Sequence, residues 1–510
     1  MSVKRVLVIA GSDSSGGAGL EADQRVLAAH GCYALTATTG LTAQNTLGVQ
    51  DIFVVPSEFV RKQINAGLED VGADVVKLGM LSSADTIDVI AETLQAHRDP
   101  PIVLDPVMVS TSGSQLLPEK AVKELRTKLL PLTTILTPNI PEAQLLLKDS
   151  GADVPEPTNR DELIQLAKRI CSLGPKAVLL KGGHLPLTKD HKTAKTPEEA
   201  TTVVDILFDG KSVTLFETEY LVSRNTHGTG CSLASAIAAN LAMGKNMTRA
   251  VRGAVRFVEA GIKTSVDLGK GSGPINHFHS IYTMPFVPGR FLEYILDRSD
   301  VQRVWERFTY HEFVEGIGQG TLPLERFKEY LVQDYLYLVQ FARSNALASY
   351  KAKSMDSIAA SAQIVLHIQQ EMALHLDYCA SFGLSKQEME DHPETIACTA
   401  YSRYILDVGQ SEDWLALQMA LAPCLIGYGA IARRLYTEEG TLRQGNQYWK
   451  WIENYVAEDY TEAVRLGSAL LEEHMQQVSP SRMEELIRIF IRATELEISF
   501  WDMGLGGNGA

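Results

Sequence analysis

Two glycine-bearing runs in this 510-residue chain carry residue types suited to group transfer. The first is Asn225-Thr226-His227-Gly228-Thr229-Gly230-Cys231, followed by the alanine-rich stretch Ser232–Ala242. Glycines that open a helix aim free N–H groups at one point. Those donors and the helix dipole suit an anion, here a transferring phosphoryl group. Gly228, Thr229 and Gly230 would form that anion site. Cys231 falls in the first turn, where a thiolate is favoured. The second run, Gly11-Ser12-Asp13-Ser14-Ser15-Gly16-Gly17-Ala18-Gly19, is dense enough in glycine for the backbone to approach a ligand closely. No Gly-Lys-Ser/Thr follows it, so it is not a P-loop, and it does not fit a dinucleotide fingerprint. A plain strand-to-helix turn is the alternative reading.

Other polar groups follow short apolar runs. Asp105 follows Ile102-Val103-Leu104, Asn139 and Glu142 follow Thr133–Leu136, and Lys181, with Gly182-Gly183-His184, follows Ala177–Leu180. Asp105 and Glu142 suit a Mg²⁺ ion that keeps several waters; Lys181 and Asn139 suit phosphates. Singly, each acid also reads as a helix cap or turn residue. Together they form one constellation of metal acids, a phosphate lysine and a glycine-rich helix start.

Toward the other end of the chain, acids lie on apolar stripes. Phe327, Leu331, Asp334, Leu338 and Phe341 repeat at spacings of four and three, as do Leu486, Phe490, Ala493, Glu497 and Phe500. Tyr337 sits beside Asp334. A carboxylate facing a bundle core is costly unless it is paired or functional. Cys424 and Tyr428 share a face four residues apart; by spacing alone they read as core.

The elements that must position these groups differ between the two halves. Short β-branched runs at Val6–Ile9, Val75–Leu78, Ile102–Leu104, Thr133–Leu136 and Ala177–Leu180 alternate with helical stretches, the pattern of a parallel α/β sheet. Val203–Asp209 and Ser212–Phe216 read as a hairpin, and Lys189–Ala200 as a mobile loop or lid. After residue 290 the chain reads as amphipathic helices: Leu324–Ala348, Ile358–Phe382, Trp414–Tyr436, Trp449–His474 and Ser481–Met503. All five tryptophans lie after residue 300, and residues 285–510 carry 19 basic against 32 acidic groups, leaving 28 against 30 for residues 1–284. That shift places the seam at Met284-Pro285-Phe286-Val287-Pro288-Gly289, with domains at 1–284 and 290–510. The formal charge of -15 argues against nucleic-acid binding. The N-terminus shows no signal core, no apolar run reads as long enough to span a bilayer, and the six cysteines are scattered without zinc spacing. The expectation is a cytoplasmic enzyme without membrane attachment.

The first glycine loop, Thr42-Ala43-Gln44-Asn45-Thr46, Asn139-Ile140-Pro141-Glu142 and Gly228-Thr229-Gly230-Cys231 together resemble the ThiD family. These are the hydroxymethylpyrimidine and hydroxymethylpyrimidine-phosphate kinases of the ribokinase superfamily. The resemblance spans about Val3 to His279. It implies a ribokinase-like doubly wound sheet and transfer of phosphate from ATP, with Mg²⁺, to 4-amino-5-hydroxymethyl-2-methylpyrimidine and then to its monophosphate. On that reading Gly11, Asp23, Gln44 and Met80 contact the substrate. The Gln44 amide offers one donor and one acceptor to an aminopyrimidine edge, and Met80 covers its ring. Cys231 is the base, standing where most ribokinases carry Asp.

His311-Glu312-Phe313-Val314-Glu315-Gly316 through Pro323, with Gln333-Asp334, Glu371-Met372 and Pro423-Cys424, resembles the cysteine-bearing branch of TenA, or thiaminase II, from about Trp305 to Met503. This implies an all-α, haem-oxygenase-like bundle that cleaves a C–N bond on an aminopyrimidine. Cys424 would attack the ring, Glu497 would handle protons and Asp334 would hold the pyrimidine. Tyr337, Tyr401, Tyr428 and Tyr455 would line the pocket. The joined resemblances imply thiamine biosynthesis and salvage, small-molecule aminopyrimidine substrates and a homo-oligomer. The competing reading is a pyridoxine or pyridoxal kinase fused to a non-catalytic pyrimidine-binding module.

Overall fold

The computed structural model describes residues 3–97, 100–108, 117–152, 155–183, 185–196 and 198–507; the side chains at 119, 360, 370, 371, 374 and 375 lie outside that description, as does His184. The roles of Glu371 and His184 in the motifs above therefore fall outside the described residues. The chain divides into two compact units, Met1–Ile281 and Tyr282–Ala510.

The first unit is built on one sheet of β1 (Lys4–Asp13), β2 (Cys32–Asn45), β3 (Gly48–Val54), β4 (Val75–Leu78), β5 (Ile102–Leu104), β6 (Ile135–Leu136), β7 (Val178–Leu180), β8 (Thr202–Phe208) and β9 (Val213–Glu219). Its order is β3-β2-β1-β4-β5-β6-β7-β8-β9. The strands from β2 to β7 run parallel, while β3 at one edge and the β8–β9 hairpin at the other are antiparallel. Helices α1 (Gly19–Ala29), α2 (Ser57–Asp70), α3 (Ala84–Ala96), α4 (Glu119–Glu124), α5 (Ile140–Asp149), α6 (Arg160–Cys171), α7 (Thr229–Ala242) and α8 (Met247–Lys263) cover both faces. Residues alternate along β1: Leu7 and Ile9 enter one core with α2, α3, α5 and α6, and Val6 and Val8 the other with α1, α7 and α8. Burial on both faces is why these strands read as unbroken apolar runs. The chain leaves β1 toward β2 and later crosses to β4 on its other side. The gap between β1 and β4 is therefore the switch point at which such sheets hold ligands.

The β2–β3 pair is absent from the sequence reading. Cys32–Asn45 is rich in threonine and alanine, with no strong apolar alternation, and its edge partner is largely exposed. Strand β6 is only two residues long, shorter than the expected Thr133–Leu136.

The second unit is all-helical: α9 (Phe291–Asp297), α10 (Ser299–Thr309), α11 (Glu312–Gln319), α12 (Leu324–Lys351), α13 (Met355–Ser381), α14 (Lys386–Asp391), α15 (Ile396–Ser411), α16 (Trp414–Thr437), α17 (Trp449–Val456), α18 (Glu458–Met475) and α19 (Pro480–Gly504). The expected single helix Trp449–His474 is broken at Ala457, whose extended backbone (ψ 154°) starts a new helix led by Glu458 and Asp459. Acids at that position favour a helix start. Contrary to the sequence reading, one helix among the described residues is long and apolar enough to cross a membrane, by length and composition. This is α16, with a mean hydropathy of 1.7 over a window that is 72% buried inside the unit. Its apolarity is spent on the core, against α15, α17, α18 and α19.

Candidate functional site

The loop after β1 and the loop before α7 are clasped together at the switch point. Asp13 accepts from Ser15 N (2.9 Å), Ser15 Oγ (2.8 Å) and Ala18 N (2.8 Å), and its Oδ2 stands 2.8 Å from His227 Nε2. Burial works to raise the Asp13 carboxyl, but these hydrogen bonds, His227 first, hold it down at about 2. Gly228, at φ +77°, continues this contact: a Cβ there would overlap the Gly17 carbonyl oxygen. Only glycine serves at that turn. The N-terminus of α7 then opens onto a cavity of about 930 Å³ lined by Gly11, Gln44, Lys77, Met80, Asp105, Asn139, Glu142, Lys181 and Gly228–Cys231.

Within the cavity, Lys181 Nζ stands 2.7 Å from Asp105 Oδ1 and 3.9 Å from Glu142 Oε2. A Cβ on Gly230 would lie 3.2 Å from Lys181 Nζ and 3.5 Å from Asp105 Oδ2, so the helix start faces this group directly. Burial, opposed by Lys181 and assisted by Asp105, pushes Glu142 up to about 7. Two hard carboxylates meet there against one lysine. That donor set of two carboxylates fits a Mg²⁺ ion that keeps several waters. Asn139 and Glu142 also cap α5 reciprocally, through Glu142 N to Asn139 Oδ1 and Asn139 N to Glu142 Oε2 (2.8 Å each). The cap reading of these residues thus holds, and both also line the cavity. Asp205, pushed up to about 6 by burial, lines the same cavity and was not singled out by sequence.

Two expectations need correction. Asp23 does not line the cavity. It is fully buried behind Lys77, pairing with Lys77 Nζ at 2.7 Å and accepting from Ser235 Oγ at 2.7 Å. Lys77, one residue in an apolar strand run, is the group that reaches the cavity, and only its charge amid Val75–Leu78 could have announced it. Nor is a Cys231 thiolate favoured in the free protein. Burial pushes the thiol up to about 11, with Lys77 opposing and Asp23 and Asp105 reinforcing the rise. Loss of solvent outweighs the helix start. Gly11, at an irregularity between β1 and β2, makes room for Met80, whose Cε a Cβ there would overlap. The described residues of the Lys189–Ala200 stretch are tied by bridges at Leu187–Thr193 and Asn159–Lys192.

In the second unit the buried polar groups converge between α12, α15, α16 and α19. Glu497 is buried, accepts from Tyr401 Oη at 2.8 Å and Tyr428 Oη at 3.5 Å, and is within hydrogen-bonding reach of the Cys424 thiol. Burial, with the Asp334 charge adding to it, pushes Glu497 up to about 8. Asp334, also buried, is pushed up to about 7 despite a hydrogen bond from Tyr330. Trp451 Nε1 donates to that tyrosine's hydroxyl at 3.3 Å. Tyr337 stacks on Tyr401 (4.9 Å between centroids, 17°), and Tyr455 packs on Tyr428 at 5.1 Å. The six residues expected here besides Asp334 thus share one aromatic-walled cluster. Tyr330 and Trp451 were missed, although Tyr330 stands four residues before Asp334 on its own face. A thiol beside a carboxyl poised near neutrality can pass its proton to that carboxyl.

The phosphomethylpyrimidine kinase family model matches residues 13–276, and the TENA/THI-4/PQQC family model matches residues 298–507. A putative hydroxymethylpyrimidine/phosphomethylpyrimidine kinase of Schizosaccharomyces pombe is 44% identical over 97% of this chain and 90% of its own. A hydroxymethylpyrimidine/phosphomethylpyrimidine kinase of Saccharomyces cerevisiae is 33% identical over 98% of this chain and 95% of its own. A solved phosphomethylpyrimidine kinase from Clostridium difficile 630 is 38% identical, covering 50% of this chain and 98% of its own with a TM-score of 0.42.

Two stability predictions follow from these buried charges. Replacing Lys77 with Met strands Asp23 and should destabilise the first unit by about 3–5 kcal/mol in denaturant unfolding. In the second unit, Glu497 is raised from 4.5 to about 8 in the fold. Its contribution is therefore fully present below pH 4.5 and is lost as pH rises through about 8. Calorimetry of the full chain between pH 5 and 9 should show the helical unit melting lower as pH rises. Glu497→Gln should remove much of that slope; an unaltered slope would contradict the assignment.

Proposed function

The chain belongs to the phosphomethylpyrimidine kinase family and carries a TENA/THI-4/PQQC-family helical region after the kinase region, and from that premise we propose that it makes and salvages the pyrimidine half of thiamine. The kinase domain, residues 1–284, transfers phosphate from ATP to 4-amino-5-hydroxymethyl-2-methylpyrimidine and then to the monophosphate, ending at the pyrophosphate. The helical domain, residues 290–510, hydrolyses an aminopyrimidine, aminomethylpyrimidine or thiamine, to hydroxymethylpyrimidine. The single observation that carries the kinase reading is convergence on one cavity: the α7 N-terminus, the Lys181–Asp105 pair, Lys77 and Gln44 all face it. A cytoplasmic location and a homo-oligomer belong to the same proposal.

Each residue then has a task. The Gln44 amide reads the aminopyrimidine edge and Met80 covers its ring. Asn139 and Lys181 hold ATP phosphates, and the N–H groups of Gly228–Cys231 hold the transferring group where negative charge gathers. Asp105 and Glu142 would hold a Mg²⁺ ion, which supplies charge neutralisation between phosphates. Cys231 takes the proton of the substrate hydroxyl. Its thiol must first lose its own proton, and Lys77 is the cation that makes this feasible in a buried site.

In the helical domain Asp334 holds the pyrimidine amine and ring nitrogen. Cys424 forms an Sγ–C bond to the ring, the thiol proton passing to Glu497. Glu497 returns it to the amine as the exocyclic C–N bond breaks, water adds its oxygen to the methylene carbon so exposed, and the Sγ–C bond then breaks to release hydroxymethylpyrimidine, the water's second proton restoring the thiol. Tyr401 and Tyr428 keep Glu497 oriented through both transfers.

Single substitutions separate the two activities. Cys231→Ala should lower kinase turnover by about 10²-fold or more and leave hydrolysis unchanged, whereas Cys424→Ser should do the reverse while still binding pyrimidine. Kinase kcat/KM should climb with pH between 7 and 9 in the unaltered protein. Cys231→Asp should flatten that climb, because a carboxylate is already ionised there. Full kinase activity in Cys231→Ala, or full hydrolysis in Cys424→Ser, would overturn the corresponding assignment. Preference for pyridoxine over hydroxymethylpyrimidine in a substrate panel would overturn the kinase substrate.

A further inference from the structure

Gln44 lies just after a bulge at Ala43/Gln44 in the β2–β3 pairing, at the cavity wall. One end of its amide stands 3.2 Å from His227 Nε2 and the other 3.2 Å from Thr42 Oγ1. The oxygen and nitrogen of an amide are told apart by their hydrogen bonds. Two independent proton counts do so here. His227 Nε2 is 2.8 Å from Asp13 Oδ2, where the ionised carboxylate can only accept, so the one Nε2 proton points toward Asp13, no lone pair is left toward Gln44, and that proton reaches the amide only as a shared, three-centre donor to its oxygen. The Thr42 hydroxyl has one proton and gives it to the Ser12 carbonyl at 2.9 Å, so toward Gln44 it can only accept. Both counts place the Gln44 carbonyl oxygen against His227 and its NH₂ against Thr42. Held in this way, the amide still presents one lone pair and one N–H side by side on its outer edge.

We propose that His227, with Thr42, is the positioning residue that fixes the polarity of the Gln44 edge and so admits an aminopyrimidine in one in-plane orientation. The substrate's amino group is received on the His227 side and a ring nitrogen on the Thr42 side. That choice decides which ring substituent meets Gly228–Cys231, which begin at the residue after His227. The same imidazole therefore links substrate orientation to the anion site and, through Asp13, to the order of the first glycine loop. Without His227 only the Thr42 acceptor holds the amide, the opposite pattern becomes accessible, and the site loses part of its means of telling an amino substituent from hydrogen. This inference rests on the aminopyrimidine reading above.

The test compares kcat/KM for 4-amino-5-hydroxymethyl-2-methylpyrimidine with that for its 4-deamino analogue, using the full chain with ATP and Mg²⁺. The unaltered protein should prefer the amino compound. His227→Leu should shrink that preference by about tenfold, beyond any common loss of rate. His227→Asn, whose side-chain N–H groups can still serve Asp13 and Gln44, should keep most of it. Thr42→Val removes the acceptor on the other side and should shrink the preference as well, which keeps the test open if the leucine variant does not fold. Turnover of the amino compound with an undiminished preference in His227→Leu would overturn the role of His227, and the same result in Thr42→Val, where that variant alone folds, would overturn the fixed polarity of the Gln44 edge on which that role rests. Failure of the unaltered protein to phosphorylate the amino compound would overturn the substrate reading, and this inference with it.

Discussion

Asp13 and His227 lie 214 residues apart in the chain and 2.8 Å apart in the fold. Neither is exposed to more than a trace of solvent. A carboxylate in that position is tolerable only because four donors surround it, and those donors come from both loops that make the kinase site. The glycine loop thereby acquires a single shape, Gly228 is drawn against Gly17, and the α7 N-terminus comes to face the cavity. The pairing of buried charge recurs one layer deeper, where Asp23 and Ser235 anchor Lys77 beneath Cys231. It recurs in the helical unit with hydroxyls in place of an opposite charge. There Tyr401 and Tyr428 hold Glu497 and Tyr330 holds Asp334, so both acids sit near neutrality rather than in the ordinary carboxylate range.

This difference in partner suits the different chemistry expected of the two units. Phosphoryl transfer asks chiefly for fixed positive charge and directed N–H groups, which ammonium partners and a helix start provide. C–N cleavage asks for a group that accepts a proton and then gives it back, and a carboxyl pushed up to about 8 by burial is suited to do so near neutral pH. Hydroxyl partners orient such a carboxyl without pinning it in the ionised state.

Much of this was legible in the sequence, for definite reasons. Parallel strands buried on both faces announce themselves as apolar runs, and the residues just after them, Asp105, Asn139, Glu142 and Lys181, line the same cavity. Acids on apolar helix stripes gave Asp334 and Glu497, because a charge on such a face is conspicuous. What escaped was mostly set by tertiary packing. The β2–β3 hairpin carries no strong alternation. Lys77 looked like an incident in a strand, and its partner Asp23 was taken for a substrate contact because nothing local reveals that it points inward. The helix-start argument gave the wrong sign for Cys231, since burial is invisible to spacing. Ala457 interrupts a periodic run through backbone geometry that no side-chain pattern records.

The central claim, that one chain releases hydroxymethylpyrimidine and phosphorylates it twice, is tested most directly by one-pot mass spectrometry. Purified protein would receive ATP, Mg²⁺ and 4-amino-5-aminomethyl-2-methylpyrimidine, with no hydroxymethylpyrimidine added. The account predicts accumulation of hydroxymethylpyrimidine pyrophosphate. Hydroxymethylpyrimidine that appears but stays unphosphorylated, or an aminopyrimidine that stays intact both here and when thiamine is supplied in its place, would contradict it.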